Sequence, residues 1–247
     1  MKYYSLKFLA LLLVFSTGVA QENNSKLQSY TLYDNYMPEL SFGAYIGQEY
    51  LDAFPESMRS VKDNNKFFET YNFTNANIVY NQQPYFNLEL KYDLLNDILV
   101  VKYVNTRVHL LALNPAQVSE FEILGETFKR LPFSENIASI YGNGFFNESF
   151  KGKHFALYIK HRKKAKELLD ENKVRYEFTE SRAYVVSYKN KSYLISSKNS
   201  LGDDLPTFKK IIKSYYKENP AMRRKDKEQF FTGLVKHLDN LKLNYEL

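Results

Sequence analysis

The fold is decided most clearly by residues 86–103, which read FNLELKYDLLNDILVVKY. In the first part of this stretch, four apolar side chains occupy every second position: Phe86, Leu88, Leu90 and Tyr92. This period of two is typical of a β-strand with one face on a core and the other in water. We therefore expect the apolar face to be buried, and Glu89 and Lys91 to face solvent.

The sequence around this strand predicts further strands and turns. Residues 93–97 (DLLND) predict a turn, and the β-branched and aromatic stretch 98–103 predicts the partner strand. Three more stretches of the same kind follow, at 108–113, 118–124 and 126–131. Residues 86–131 are therefore expected to form an antiparallel meander.

The next part of the chain continues the β pattern with two less regular segments. Strands are expected at 145–150, 154–159, 175–178, 183–188 and 192–197. Residues 132–143 contain Pro132 and Gly142 and predict a loop. Residues 160–171 fit either an extension of the preceding strand or, at 163–169, a short helical turn.

The last 45 or so residues change to helical periodicity. One apolar stripe is formed by Leu201, Leu205, Phe208, Ile212 and Tyr215, and a second by Phe230, Leu234, Leu238 and Leu241. Steps of three and four residues place each set on one side of a helix. The expected fold class is therefore α+β, an antiparallel β-meander sheet with two C-terminal amphipathic helices.

The N-terminus predicts export. Lys2 and Lys7 supply positive charge, residues 8–15 (FLALLLVF) are apolar, and Gly18 and Ala20 are small residues at a predicted cleavage site. We expect residues 1–20 to be a cleaved signal peptide, 21–30 a polar lead-in and 31–247 a single α+β domain. The apolar run is far shorter than the roughly 20 residues of a membrane-spanning helix, and no transmembrane helix is expected after cleavage.

Composition excludes several kinds of chemistry. The chain has no cysteine, so disulfides, thiolate zinc sites, iron–sulfur clusters and cysteine nucleophiles are ruled out. None of the four histidines lies in a short chelating spacing, and no G-x-S-x-G pentapeptide occurs. No metal site and no cofactor is expected.

Charge is unevenly distributed along the sequence. Residues 21–150 carry 9 basic and 16 acidic side chains, whereas residues 151–247 carry 23 basic and 12 acidic ones. The basic side chains are densest at 160–166 and 209–227. A basic C-terminal surface suits an anionic partner such as phospholipid or lipopolysaccharide. The alternatives are that it faces the acidic N-terminal part or is ordinary solvated surface.

Five residues are the candidate binding residues of this basic surface: Lys209, Lys213, Lys217, Arg223 and Arg224. The three lysines recur every fourth residue, which places them along one side of the predicted helix beside its apolar stripe. The expected partner is an anionic envelope component or another envelope protein. Nucleic acid is not expected, because export separates the chain from it and no recognition motif appears.

Several short stretches resemble a group of exported hypothetical proteins of unknown function from Gram-negative bacteria. They are residues 90–93 (LKYD) with Asp97, 141–146 (YGNGFF), 184–188 (YVVSY), 197–201 (SKNSL) and 208–213 (FKKIIK). The resemblance extends over residues 78–217. It implies a periplasmic or cell-surface location, and it implies no activity.

These observations predict an exported protein of the periplasm or cell surface that binds or scaffolds another envelope component, rather than an enzyme. The alternative is an exported hydrolase with a dispersed active site, because a catalytic triad is defined by geometry and not by sequence order. A cleft that places His109, His154 or His237 beside an acidic residue would favour the hydrolase.

Overall fold

The computed structural model describes residues 42–45, 47–61, 63–131, 135–142, 144–170 and 173–245. The expected signal peptide and polar lead-in lie outside the described residues. The boundaries expected in that part of the chain stay predictions.

Eleven strands in the described part of the chain form one antiparallel sheet, in the order β1-β5-β4-β3-β2-β6-β7-β8-β9-β10-β11. They are β1 (Gln48–Glu49), β2 (Thr74–Tyr80), β3 (Gln83–Asp93), β4 (Ile98–Val104), β5 (Val108–Ala112), β6 (Val118–Ile123), β7 (Glu126–Arg130), β8 (Phe145–Lys151), β9 (Phe155–Asp170), β10 (Lys173–Tyr188) and β11 (Lys191–Leu194). One short helix precedes β8, and the others follow the sheet: α1 (Glu135–Tyr141), α2 (Ser200–Asp204), α3 (Lys209–Glu218), α4 (Pro220–Lys225) and α5 (Lys227–Tyr245). The predicted α+β class, an antiparallel sheet with C-terminal helices, is confirmed.

The order of the strands depends on β2. This strand pairs with β3 on one side and with β6 on the other. The chain therefore runs outward through β3, β4 and β5 and returns to place β6 beside β2. Strands β6 to β11 then follow one another by simple antiparallel pairing.

Two predictions for β3 need correction. The register with β2 shifts between Ala76 and Ile78, and Asn87 adopts a φ of 55°. This bulge reverses the alternation, so Tyr85 rather than Phe86 joins the core with Leu88.

Lys91 was expected in solvent but is only 8% exposed. Its ammonium lies 3.9 Å from the ring centroid of Tyr71, 4.3 Å from Phe73 and 4.8 Å from Phe67. The segment before β2 thus covers the face that alternation assigned to water. Aromatic rings attract a cation through their negative faces, and this explains how the lysine is accommodated.

Strands β9 and β10 form a long hairpin that pairs from Phe155↔Tyr188 to Asp170↔Lys173. The sequence left two alternatives for residues 160–171, a strand extension and a short helical turn. The segment is a continuation of the strand as far as Asp170. The stretches 175–178 and 183–188, expected as two strands, belong to the single strand β10.

Helix α1 lies in the segment 132–143, which was expected to be a loop. Residues 135–141 contain neither proline nor glycine. Ile137 is fully buried and packs with Phe146, Ala156, Tyr158 and Val185. This burial of an apolar side chain stabilises the helix, and the loop prediction is wrong at these positions.

Two larger clusters form the core. One contains the apolar side chains of β2, β3, β4, β6 and β7, where the rings of Phe121 and Phe128 stack at 4.8 Å. The other packs α2, α3 and α5 on β9 and β10 through residues such as Ile159, Ile212 and Leu234. Within the described residues, none of the helices combines the length and apolar character that crossing a bilayer requires.

The first predicted amphipathic helix is interrupted. Helix α2 ends at Asp204, a 3₁₀ turn spans Pro206–Phe208, and α3 then begins at Lys209. Pro206 cannot donate the backbone hydrogen bond that a continuous helix needs. Leu205, Phe208 and Ile212 nevertheless remain buried, so the apolar stripe keeps its packing role.

Candidate functional site

An open cleft of about 930 Å³ lies where β10 and the chain after β11 meet the C-terminal helices. We call it the basic cleft. Its basic side chains are Arg182, Lys198, Arg223, Arg224 and Lys227. Its apolar and aromatic side chains are Tyr184, Ile195, Tyr216 and Phe231.

Helix α4 places two of these arginines. Asn219 is the C-cap of α3, and Pro220 occupies the first turn of α4. A backbone N–H in the first turn has no partner within the helix, so the N–H that proline lacks is not needed there. Arg223 and Arg224 then lie in the last turn of this short helix. The guanidinium of Arg223 lies 5.5 Å from the ring centroid of Tyr216, a contact that orients it over the cleft wall.

The apolar part of the cleft consists of rings from two elements. Tyr184 on β10 and Phe231 on α5 are both buried, and their centroids are 4.5 Å apart. Burial raises the pKa of Tyr184 to about 12. Burial also raises the pKa of Tyr216. Both phenols are therefore neutral at physiological pH and add no negative charge.

Arg182 differs from the other cations because its charge is compensated. Its Nε lies 2.7 Å from Glu180 Oε1, and its Nη1 lies 2.7 Å from Glu228 Oε2. Glu180 also contacts His161 Nδ1 at 3.4 Å. The hydrogen bond with His161, followed by that from Arg182, lowers the pKa of Glu180 to about 2. This network joins β9, β10 and α5.

The other four cations have no such compensation. Within the described part of the chain, no ion pair is formed by Lys198, Arg223, Arg224 or Lys227. A concave surface that gathers uncompensated charge of one sign concentrates its field and attracts ions of the opposite sign. The cleft is therefore suited to an anion.

Comparison of the chain with known protein families, curated proteins and solved structures finds no match. The case for a function accordingly rests on the geometry of the cleft.

The structure separates the five predicted binding residues into two groups. Arg223 and Arg224 line the basic cleft. Lys209, Lys213 and Lys217 lie on α3 outside it. Lys209 forms an ion pair with Asp203 at 2.7 Å, and the other two lysines are exposed.

Sequence reasoning missed two basic residues of the cleft and its aromatic side. Arg182 and Lys198 lie on separate parts of the chain, and only the pairing of β10 with β11 brings them near α4. Lys227 had a sequence signal, because it belongs to the basic stretch 209–227. The aromatic side chains had none, because strand and helix periodicity assign such residues to the core.

The three histidines that would mark a hydrolase, His109, His154 and His237, lie away from the basic cleft. His109 lies on β5 beside Tyr103, and His237 lies beside the ring of Tyr215. The backbone N–H of His154 donates to Asp239. None of these three histidines lines the basic cleft. Its serines therefore lack an adjacent imidazole base from this set.

In the ranges that the structure describes, no three histidine or acidic side chains are positioned to hold a metal ion.

Proposed function

We propose that this chain is an exported binding protein of the cell envelope whose basic cleft holds an anionic ligand with an apolar portion. The ligand class is a phosphate-bearing or carboxylate-bearing envelope component. The protein acts by binding and not by chemical conversion of the ligand.

One observation carries this proposal: four cations without acidic partners surround an apolar, aromatic recess. Ordinary surface lysines and arginines are dispersed and interspersed with acids. At the cleft, Lys198, Arg223, Arg224 and Lys227 instead share one concavity of about 930 Å³, and the acid in its lining, Glu180, is paired with Arg182. Their mutual repulsion is relieved when an anion enters.

The residue types fit a phosphate or carboxylate. A guanidinium presents a planar fork of donors that matches two oxygens of such a group, and charge-assisted bonds are stronger than neutral ones. Arg223 is already held over Tyr216, so less of its freedom is lost on binding. Ile195 is partly exposed and lines the cleft beside Tyr184 and Phe231, so apolar surface is available to the rest of the ligand.

The envelope location is supported by the expected signal peptide at residues 1–20. A protein of the periplasm or cell surface meets anionic lipid headgroups and phosphorylated glycolipids. These ligands combine phosphate with apolar groups, which is the combination that the cleft offers.

Isothermal titration with hexyl phosphate tests the proposal, with hexanol as the neutral comparison. We expect hexyl phosphate to bind and hexanol not to bind measurably. The double variant Arg223→Gln with Arg224→Gln should lower the affinity about ten-fold or more, because charge-assisted hydrogen bonds are each worth about 1.5–3 kcal/mol.

A matched control makes the same change in charge outside the cleft. The double variant Lys213→Gln with Lys217→Gln should alter the affinity by about two-fold or less, because neither lysine lines the cleft and exposed charges are screened at physiological ionic strength. Equal losses in the two double variants would contradict a defined cleft. Failure of hexyl phosphate to bind the unaltered protein would overturn the proposal.

A further inference from the structure

A second, smaller pocket adjoins the basic cleft at Arg182, which lines both. Its volume is about 160 Å³. We call it the acidic pocket, because its lining includes Glu69, Glu126 and Glu228, together with Asn147, His161 and Phe68.

Negative charge exceeds positive charge in the acidic pocket. The guanidinium of Arg182 lies 2.7 Å from Glu228 and 4.0 Å from Glu69. Among the described residues, Glu126 forms no ion pair with Arg182. Its Oε2 instead accepts a hydrogen bond of 2.8 Å from Asn147 Nδ2. The lining thus holds three carboxylates and one guanidinium, and that guanidinium also pairs with Glu180.

The amide of Asn147 supplies an independent observation. The residue is 1% exposed. Its Nδ2 donates to Glu126 and, at 3.3 Å, to the backbone carbonyl of Thr127. Its Oδ1 is buried, and no described residue donates a hydrogen bond to it. A buried acceptor without a donor is destabilising, so a donor is missing at the Oδ1 of this pocket-lining residue.

We infer that the acidic pocket holds a primary ammonium group of the same ligand whose anionic group lies in the basic cleft. The ligand class is therefore a zwitterion with a phosphate or carboxylate at one end and a primary amine at the other. This inference rests on the proposed function of the basic cleft and specifies its ligand.

An ammonium fits this pocket better than other groups. It carries three N–H donors on a compact cation, and the pocket offers Asn147 Oδ1 with the carboxylates of Glu69 and Glu126 as acceptors. Phe68 adds an aromatic ring. A volume of 160 Å³ is a few water molecules of about 30 Å³ each, so only a small group enters. A quaternary ammonium lacks N–H donors and would leave Asn147 Oδ1 unsatisfied.

The test is isothermal titration with ω-aminoalkyl phosphates of increasing chain length, each compared with the alkyl phosphate of equal length. At the best length, the amine should bind about ten-fold or more tightly than its alkyl counterpart, which corresponds to about 1.4 kcal/mol. The trimethylammonium analogue of that compound should lose this advantage.

Variants locate the preference in the acidic pocket. Glu69→Gln and Glu126→Gln should remove most of the preference for the amine and leave the affinity for the alkyl phosphate unchanged or slightly raised. Asn147→Leu should do the same, and the two glutamate variants keep the test decisive if this buried substitution prevents folding. Glu122→Gln, an exposed change on β6 outside the pocket, is the matched control and should keep the preference.

The outcomes separate the two proposals. Alkyl phosphates that bind with no preference for the amine would overturn the inference and leave the anion site standing. Equal binding of the primary and trimethylammonium compounds would overturn the hydrogen-bonded ammonium. Failure of every phosphate to bind would overturn the proposed function, and the inference with it.

Discussion

Charges at the turn between β3 and β4 are paired, whereas most charges of the basic cleft are not. At the turn, Lys66 Nζ lies 2.8 Å from Asp52 and 3.3 Å from Asp93, and Lys160 Nζ lies 2.7 Å from Asp97. Both lysines are at least 98% buried. At the cleft, Arg223 and Arg224 are partly or fully exposed and have no acid partner among the described residues.

The difference follows from the cost of burial. A buried charge loses its hydration and persists only where a partner replaces the water. An exposed charge keeps its hydration, so it needs no partner for folding and stays available to a ligand. Pairing therefore separates the charges that hold the fold from those that are free to bind.

The largest expected effect is at Asp93. Its fully buried carboxylate accepts hydrogen bonds from Tyr50 and Asn96 and pairs with Lys66. Asp93→Ala leaves a buried ammonium partly uncompensated and should lower the free energy of unfolding by about 3–5 kcal/mol. The control, Lys102→Ala, breaks a partly exposed pair with Glu89 and should cost about 1 kcal/mol or less. Similar losses in urea melts would break the comparison.

A somewhat smaller loss is expected at Asp239. Its carboxylate accepts the backbone N–H groups of Lys153, His154 and Phe155 at 2.7–3.1 Å, which fixes α5 to the turn before β9. Asp239→Ala should cost about 2–4 kcal/mol.

Gly152→Ala should act on the same contact, since an added Cβ would lie 2.2 Å from the Asp239 carboxylate. Thermal melts compare both variants with the unaltered protein. A neutral result for both would mean that this carboxylate does not fix the helix.

A smaller, pH-dependent effect is expected at Lys91, which is buried among rings. Burial lowers its pKa from 10.5 to about 8. Between these two values the unfolded chain holds a proton that the folded protein has lost, so this group makes folding more favourable as pH rises. Lys91→Met should remove that contribution.

The measurement is the free energy of unfolding of both proteins from pH 7 to 10.5, a range that spans the two pKa values of Lys91. The difference should grow in favour of the unaltered protein above about pH 8. Parallel curves would show that Lys91 titrates as an ordinary surface lysine.

The smallest effect on stability is expected at the cleft. The double variant Arg223→Gln with Arg224→Gln should change the free energy of unfolding by less than about 0.5 kcal/mol, because neither guanidinium has an acid partner to lose. A loss of several kcal/mol in a denaturant melt would show that these arginines hold the fold, as the buried pairs at the turn between β3 and β4 do.

The sequence predicted the strands of the sheet better than it predicted the side chains whose burial departs from strand alternation. Leu88, Leu90 and Tyr92 are buried as their alternation indicated, because one face of β3 covers a core. The burial of Lys91 depends on Phe67, Tyr71 and Phe73, which come from an irregular segment without periodicity. Burial on both faces of a strand is a tertiary effect that alternation within one strand does not report.

The candidate site shows the same division. The basic stretch that ends at Lys227 indicated Arg223 and Arg224 from sequence alone. Arg182 and Lys198 are brought to the cleft by strand pairing and by the path of the chain after β11. The density of basic residues along the sequence therefore identifies the residues on one side of the site. The residues on the other side are brought together only by the fold.

The central claim is that an anion enters the basic cleft, and backbone amide chemical shifts in nuclear magnetic resonance spectra test it most directly. Hexyl phosphate should be titrated into the unaltered, isotope-labelled protein. We expect the largest shift changes at residues 196–198 and 223–227, which line or adjoin the cleft. Changes centred on residues 209–217 of α3, with the cleft amides unmoved, would contradict it.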